Sequence, residues 1–115
     1  MLKIMLKSKI HLGTVTETNL YYEGSITLDK ELMEKANLLP YEQVEIYNVN
    51  NGQRFTTYVI EGKKGSRTIC LNGAAARLAS PGDRVIIASY AILNENDAKK
   101  ISPVIVSLND RNEVI

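Results

Sequence analysis

A single cysteine, Cys70, is all the thiol this chain carries. It excludes an internal disulfide, and its place in an apolar run reads as a buried, reduced thiol of a cytoplasmic protein. Charge of either sign is not in excess: 14 Lys and Arg stand against 13 Asp and Glu, a net charge of +1. That argues against a protein held to nucleic acid by bulk electrostatics. One phenylalanine leaves little to stack on a base. No apolar run is long enough to cross a bilayer. Lys3, Lys7 and Lys9 break up the Met1–Lys9 stretch, so it does not read as a signal peptide. No metal-ligand spacing is present, and no internal repeat or domain boundary shows.

What is present is an ordinary balance of 44% apolar and 23% charged residues, in a length of 115 that suits one domain with its own core. Short β-rich runs separated by Gly, Asn or Pro dominate. Strands are predicted over 1–11, 14–18, 25–28, 43–49, 53–60, 68–71, 84–93 and 104–108. Gly13 reads as the end of the first. Its two-residue period puts Lys7, Lys9 and His11 on one face. Asp29 is a good N-cap for a helix of about two turns, stopped by Asn37 and Pro40. Asn50-Asn51-Gly52 is a hairpin signal, and Ala74–Leu78 favours one helical turn. Residues 94–100 read as polar loop and 109–115 as frayed. Many short strands with little helix predict a small closed barrel, because closure removes exposed edges.

The chemistry centres on Tyr22-Glu23-Gly24-Ser25. Gly24 has no Cβ, so it tolerates positive φ and leaves its carbonyl open to attack. The hydroxyl of Ser25 lies one residue downstream. A bend here lets Oγ attack the Gly24 carbonyl and turn the amide into an ester. Elimination then leaves dehydroalanine, and hydrolysis leaves a pyruvoyl group on a new N-terminus. Its carbonyl can form a Schiff base and accept electrons. The dipeptide recurs at Gly65-Ser66 within Lys63-Lys64-Gly65-Ser66-Arg67, where it reads as a charged turn.

Further motifs follow in order. They are Lys9-Ile10-His11, Asn51-Gly52-Gln53-Arg54-Phe55-Thr56-Thr57-Tyr58, Gly65-Ser66-Arg67, Asn72-Gly73-Ala74-Ala75-Ala76 and Gly82-Asp83-Arg84-Val85-Ile86-Ile87-Ala88. With the Gly24-Ser25 segment they closely resemble the pyruvoyl-dependent aspartate 1-decarboxylases, from about Met1 to Tyr90. No motif is matched beyond Asn94. The resemblance implies a six-stranded double-psi β-barrel with one or two short helices, and a homotetramer with active sites between subunits. It implies self-cleavage into chains 1–24 and 25–115. It also implies conversion of L-aspartate to β-alanine and carbon dioxide, supplying pantothenate and coenzyme A. The cofactor would be the pyruvoyl group from Ser25, with no metal or pyridoxal phosphate. An accessory maturation factor is left open.

The resemblance also assigns residues. Tyr58 becomes the proton donor and Arg54 a carboxylate binder. Thr57 becomes a ligand or processing partner, and Asn72 a polarising group in processing. Backbone N–H groups of Gly73, Ala74 and Ala75 would face the substrate. Lys9 would be a second cation, His11 an orienting residue, and Tyr22 a neighbour of the pyruvoyl. Tyr47 stands in the pocket wall where tryptophan is expected, and Ile26 where cysteine is common. Taken without the resemblance, the same residues have plainer readings. Arg54 and Tyr58 share a strand face ~13 Å apart at ~3.3 Å per residue, as any exposed strand allows. Asn72-Gly73 reads as a type I′ turn, and Lys9 and His11 as edge-strand charges. Alternation turns Thr57 away from Tyr58, which calls for a bulge at Thr56-Thr57 or a strand lined by two subunits. From a different class, a small barrel could bind nucleic acid through Lys3, Lys7, Lys63, Lys64 and Arg67, or a barrel without processing could be structural.

Overall fold

The structure, a computed structural model, describes residues 1–115. Its elements are β1 (Leu2–Thr14), β2 (Glu17–Asn19), β3 (Ser25–Asp29), α1 (Lys30–Lys35), β4 (Gln43–Asn48) and β5 (Arg54–Gly62). They continue with β6 (Ile69–Asn72), a short 3₁₀ helix (Gly73–Arg77), β7 (Arg84–Asn94), α2 (Glu95–Ala98) and β8 (Val104–Ser107). The fold is mainly β, as expected. Eight strands run in the order β2-β6-β3-β5-β4-β7-β1-β8. That order has two ends, so the ladders alone do not close a barrel. The chain does pass from next to one end to the other in a few residues, because β1, which is flanked by the end strand β8, leads almost directly into β2. Thr16 bridges the step, its N–H donating to the Ile69 carbonyl at 2.8 Å.

The core is a cluster of 19 buried side chains, with Ile10, Ile26, Leu28, Ile46, Leu71 and Ile87 among its fully buried members. Each such side chain contributes about 1.5–3 kcal/mol on burial. The two strands most deeply set are β3 and β6, which pair antiparallel with Ser25 opposite Asn72 and Thr27 opposite Cys70. α1 is capped as its sequence predicts, with Asp29 Oδ1 accepting the Glu31 N–H at 2.8 Å. Asn37 stops it with φ +55.

Several local expectations are corrected. Gly13 does not end β1. It lets the strand pass Ile69, whose Cδ1 would lie 2.5 Å from a Cβ at that position. The expected strand over 14–18 shrinks to β2, because Val15 and Thr16 bond to Asp83 and Ile69 instead. Lys9 and His11 are not on an edge, since β1 is flanked by β7 and β8, with Lys9 opposite both Ala88 and Ile105. Residues 94–100 contain α2, capped by Asn94 Oδ1 on the Asp97 N–H at 2.8 Å. The end of the chain is not frayed. Asn112 is buried, donates to the carbonyls of Thr14 and Arg67, and accepts the Thr14 N–H at 2.7 Å. Those groups would otherwise be unpaired, and this is what pins the segment.

Candidate active site

Ser25 opens β3 and is fully buried. A buried hydroxyl needs partners, and Ser25 has two. Oγ donates to the Glu23 carbonyl at 3.0 Å and accepts from Asn72 Nδ2 at 2.9 Å. That leaves one lone pair of Oγ unengaged. Asn72, also buried, donates its second N–H to Thr27 Oγ1 at 2.9 Å, and its Oδ1 accepts from Cys70 Sγ at 3.2 Å. Four side chains from two paired strands thus form one hydrogen-bonded cluster beside the Gly24-Ser25 peptide. Asn72 meets hydroxyls here rather than a carbonyl. Burial, helped by the Glu17 carboxylate, pushes the Cys70 thiol up to about 11, so it stays protonated at neutral pH.

Gly24 is not in the left-handed region, contrary to one use suggested for its glycine. Gly73 is, with φ +65. A Cβ on Gly73 would lie 2.7 Å from Gly24 Cα and 3.0 Å from the Tyr22 carbonyl oxygen, whereas one on Gly24 would meet nothing within 4 Å. So Gly73 is the residue that must lack a side chain for the two backbones to touch. Asn72-Gly73 is accordingly no hairpin turn but the junction of β6 with the 3₁₀ helix. A pocket of about 260 Å³ lies on the open side of Gly24, lined by Thr57, Ala74 and Ala75 with Phe55 and Leu78. Five predicted site residues, Gly24, Ser25, Thr57, Asn72 and Gly73, meet around one peptide bond or its pocket, with Ala74 and Ala75 at the wall. Tyr22 is half-exposed and borders a separate cavity of about 270 Å³ with Asn72, Thr27 and Cys70.

The remaining predicted residues lie elsewhere in the chain. β5 pairs with β4 without interruption from Gln43↔Tyr58 to Tyr47↔Arg54, so the bulge at Thr56-Thr57, one of the two alternatives for Thr57, is absent. Regular alternation puts Arg54 and Tyr58 on one face and Thr57 on the other. The Arg54 guanidinium stacks 3.9 Å from the centre of the Tyr47 ring, and the Tyr47 and Tyr90 hydroxyls bond at 2.8 Å. Desolvation and the Tyr90 hydroxyl push the Tyr47 phenol up to about 12, against the pull of Arg54. The ring therefore stays neutral and gives Arg54 a cation–π platform. Arg54 and Tyr47 line a pocket of about 300 Å³ of their own. Tyr58 leans on Tyr41, ring centres 6.4 Å apart. His11 carries a buried Nδ1 with no partner.

Sequence reading missed the contacts of Thr27, Cys70 and Tyr90. The signal for the first two is the β3–β6 register, which a linear sequence does not display. No group of three or more His, Cys, Asp or Glu side chains is placed to hold a metal ion, and no helix is long and apolar enough to cross a membrane.

Comparison with known proteins bears on this arrangement. A family model described as aspartate decarboxylase matches residues 1–115. The aspartate 1-decarboxylase of Syntrophus aciditrophicus is 60% identical over 114 residues, 99% of this chain and 98% of that protein. Its counterpart from Pelotomaculum thermopropionicum is 60% identical over 111 residues, 96% of this chain and 84% of that protein. That of Thermoanaerobacter pseudethanolicus is 53% identical over 115 residues, 100% of this chain and 98% of that protein. With the match running through every residue of the Ser25 cluster and both neighbouring pockets, the chain belongs to the aspartate decarboxylase family.

Proposed function

We propose that this chain is a self-processing enzyme that converts L-aspartate to β-alanine and carbon dioxide. The observation that carries the reading is the Ser25 hydroxyl, buried against Asn72 and directly following a glycine that is open to a pocket. Oγ attacks the Gly24 carbonyl carbon. The C–N bond breaks, the hydroxyl proton ends on the Ser25 nitrogen, and an ester remains. Loss of the Ser25 Cα proton expels Gly24 as a carboxylate and leaves dehydroalanine. Water then replaces the nitrogen, ammonia departs, and the 25–115 chain begins with a pyruvoyl group. The residues fit such a group, since Thr57, Ala74 and Ala75 leave space for a small substrate on the Gly24 side.

The pyruvoyl carbonyl supplies a site that condenses with an amine and accepts electrons, the part that pyridoxal phosphate plays elsewhere. The chain's own residues bind and move protons. The α-carboxylate must lose its charge as carbon dioxide leaves, so a strong ion pair there would favour the ground state. Arg54 therefore holds the β-carboxylate, for which a bidentate guanidinium is suited, and Lys9 assists. Tyr58 delivers the proton to the α-carbon. Gly73, Ala74 and Ala75 offer backbone N–H groups, His11 orients, and Tyr22 and Tyr47 wall the pocket.

Arg54 and Tyr58 face away from Thr57 on β5, and this supports a site completed between copies, with the Arg54 face of one chain set against the Gly24 pocket of another. We infer a homotetramer on that basis. Exposed Leu2, Ile4, Tyr90 and Ile92 on the paired β1 and β7 are apolar surface of the kind an assembly covers. The short link from β1, next to one end of the strand order, to β2 at the other end supports closure into a six-stranded double-psi barrel, with the remaining strands flanking it. A cytoplasmic role in supplying β-alanine for pantothenate and coenzyme A, with or without a maturation factor, completes the reading.

Mass spectrometry of fully incubated protein tests it. Two fragments are expected, Met1–Gly24 and a 25–115 chain lighter than the simple hydrolytic fragment by one ammonia. The same sample should release β-alanine from aspartate. A sample that decarboxylates aspartate while remaining one intact chain would sink the mechanism.

A further inference from the structure

The orientation of the Asn72 carboxamide decides what Ser25 meets. With Nδ2 toward Ser25, the hydroxyl receives a donor and directs its own proton to the Glu23 carbonyl. Turned by half a rotation, Oδ1 would face Ser25 and take that proton. A carboxamide has nearly the same shape either way, so packing alone does not choose between the two; hydrogen-bond partners do.

Two side chains supply the choice. Thr27 Oγ1 accepts the second N–H of Asn72 at 2.9 Å, and Cys70 Sγ donates to Oδ1 at 3.2 Å. In this orientation both N–H groups are satisfied. In the reverse one, Nδ2 would face only a thiol sulfur, a weak acceptor, and one N–H would be buried without a partner. The β3–β6 register sets this up by placing Thr27 opposite Cys70 two residues along from Ser25 opposite Asn72, on the same face.

We propose that Cys70 and Thr27 are positioning residues for cleavage at Gly24-Ser25, acting by holding Asn72 Nδ2 on Ser25 Oγ. The proposal deepens the self-processing reading of Ser25 and rests on it. An N–H fixed on Oγ keeps the side chain in one rotamer. It also steadies the negative charge on Oγ as its proton leaves, before the Oγ–C bond forms and shifts that charge to the Gly24 carbonyl oxygen. Cys70 is thereby more than inert core, although it never touches the reacting atoms. Its retained proton, which burial secures, is what makes it a donor.

The test follows cleavage of the full chain over time by intact mass. Cys70→Ala and Thr27→Val should each cut about tenfold more slowly, the scale of one lost hydrogen bond. Cys70→Ser puts a hydroxyl donor where the thiol was, Thr27→Ser keeps the hydroxyl, and both should cut within about threefold of the parent. Melting temperatures taken alongside separate positioning from loss of fold. Equal slowing in Cys70→Ser and Cys70→Ala overturns the proposal, and so does slowing that simply tracks melting temperature. Parent-like cleavage in both Cys70→Ala and Thr27→Val overturns it as well, while leaving the Ser25 reading intact. A parent chain that never cuts would instead remove the reading beneath it.

Discussion

The dipeptide Gly-Ser occurs twice in this chain, at residues 24–25 and 65–66, and the two copies live in opposite surroundings. Ser25 is fully buried between β3 and β6, and its hydroxyl is locked by Asn72 and the Glu23 carbonyl. Ser66 is exposed, and its hydroxyl donates to the Lys63 carbonyl at 2.6 Å within its own turn. The glycines differ as well. Gly65 has φ +82, so it is there to make the turn. Gly24 makes no such demand and is instead pressed by the backbone of Gly73. The same dipeptide is thus set apart by what surrounds it: only the first copy has a second strand carrying a donor to its hydroxyl and a pocket beside its glycine.

The contrast is broken most directly at the two serines. Ser25→Ala should abolish cleavage, since no nucleophile remains, and Ser66→Ala should cut at the parent rate. Intact-mass time courses of both variants decide this. Any cutting at 24–25 in Ser25→Ala would place the attacking group elsewhere. The glycines give the next largest effect. Gly73→Ala puts a methyl 2.7 Å from Gly24 Cα at φ +65, so the Gly24 backbone must move. Displacement near 1 Å at a reacting centre costs about 10²-fold, and the cleavage rate should fall by at least that. Gly65→Ala meets no neighbour at its φ of +82 and should cost only about 1–2 kcal/mol of stability, with cleavage unchanged. Matching cleavage rates in the two variants would erase the distinction drawn between the glycines.

How much of this could be read from sequence follows from the range of the interactions. Asp29 as a cap, the Gly52 hairpin and the alternation of Val44 and Ile46 against Glu45 and Tyr47 are local, and the structure contains them. The Gly24-Ser25 peptide was visible through its motif neighbours. What was not visible is long-range. Ser25 meets Asn72 only because β3 and β6 pair, and nothing within either strand announces that partner. Cys70 therefore looked like plain core. Asn112 looked like part of a loose end because the carbonyls it satisfies, on Thr14 and Arg67, are distant in sequence. The Gly24–Gly73 contact is of the same kind, so nothing local marks Gly73 rather than Gly24 as the glycine with positive φ. Arg54 and Tyr58 were correctly placed on one strand face, but no reading of one chain puts that face beside Ser25.

A small effect on cleavage, set against a large one on stability, is expected at the residue that holds the second Gly-Ser in place. Asp29 closes β3, four residues after Ser25, and its buried carboxylate gathers three backbone donors. Oδ1 accepts from Glu31 at 2.8 Å and from Gly65 at 2.9 Å, and Oδ2 accepts from Arg67 at 2.7 Å. It thus caps α1 and ties down the 65–66 turn together. Asp29→Asn keeps one acceptor but points an amide N–H at a backbone N–H, so at least one donor loses its partner. Hydrogen bonds to charged groups contribute about 1.5–3 kcal/mol each, and a lost helix cap about 1 kcal/mol, so stability should fall by roughly 3 kcal/mol. The urea midpoint should drop with an unchanged slope. Below that midpoint, cleavage at Gly24-Ser25 should stay within about twofold of the parent, because the Ser25–Asn72 contact is made at the other end of β3. Cleavage slowed as far as in Gly73→Ala would mean that strain at residues 65–67 reaches Ser25 along β3. The two Gly-Ser sites would then be coupled rather than merely different.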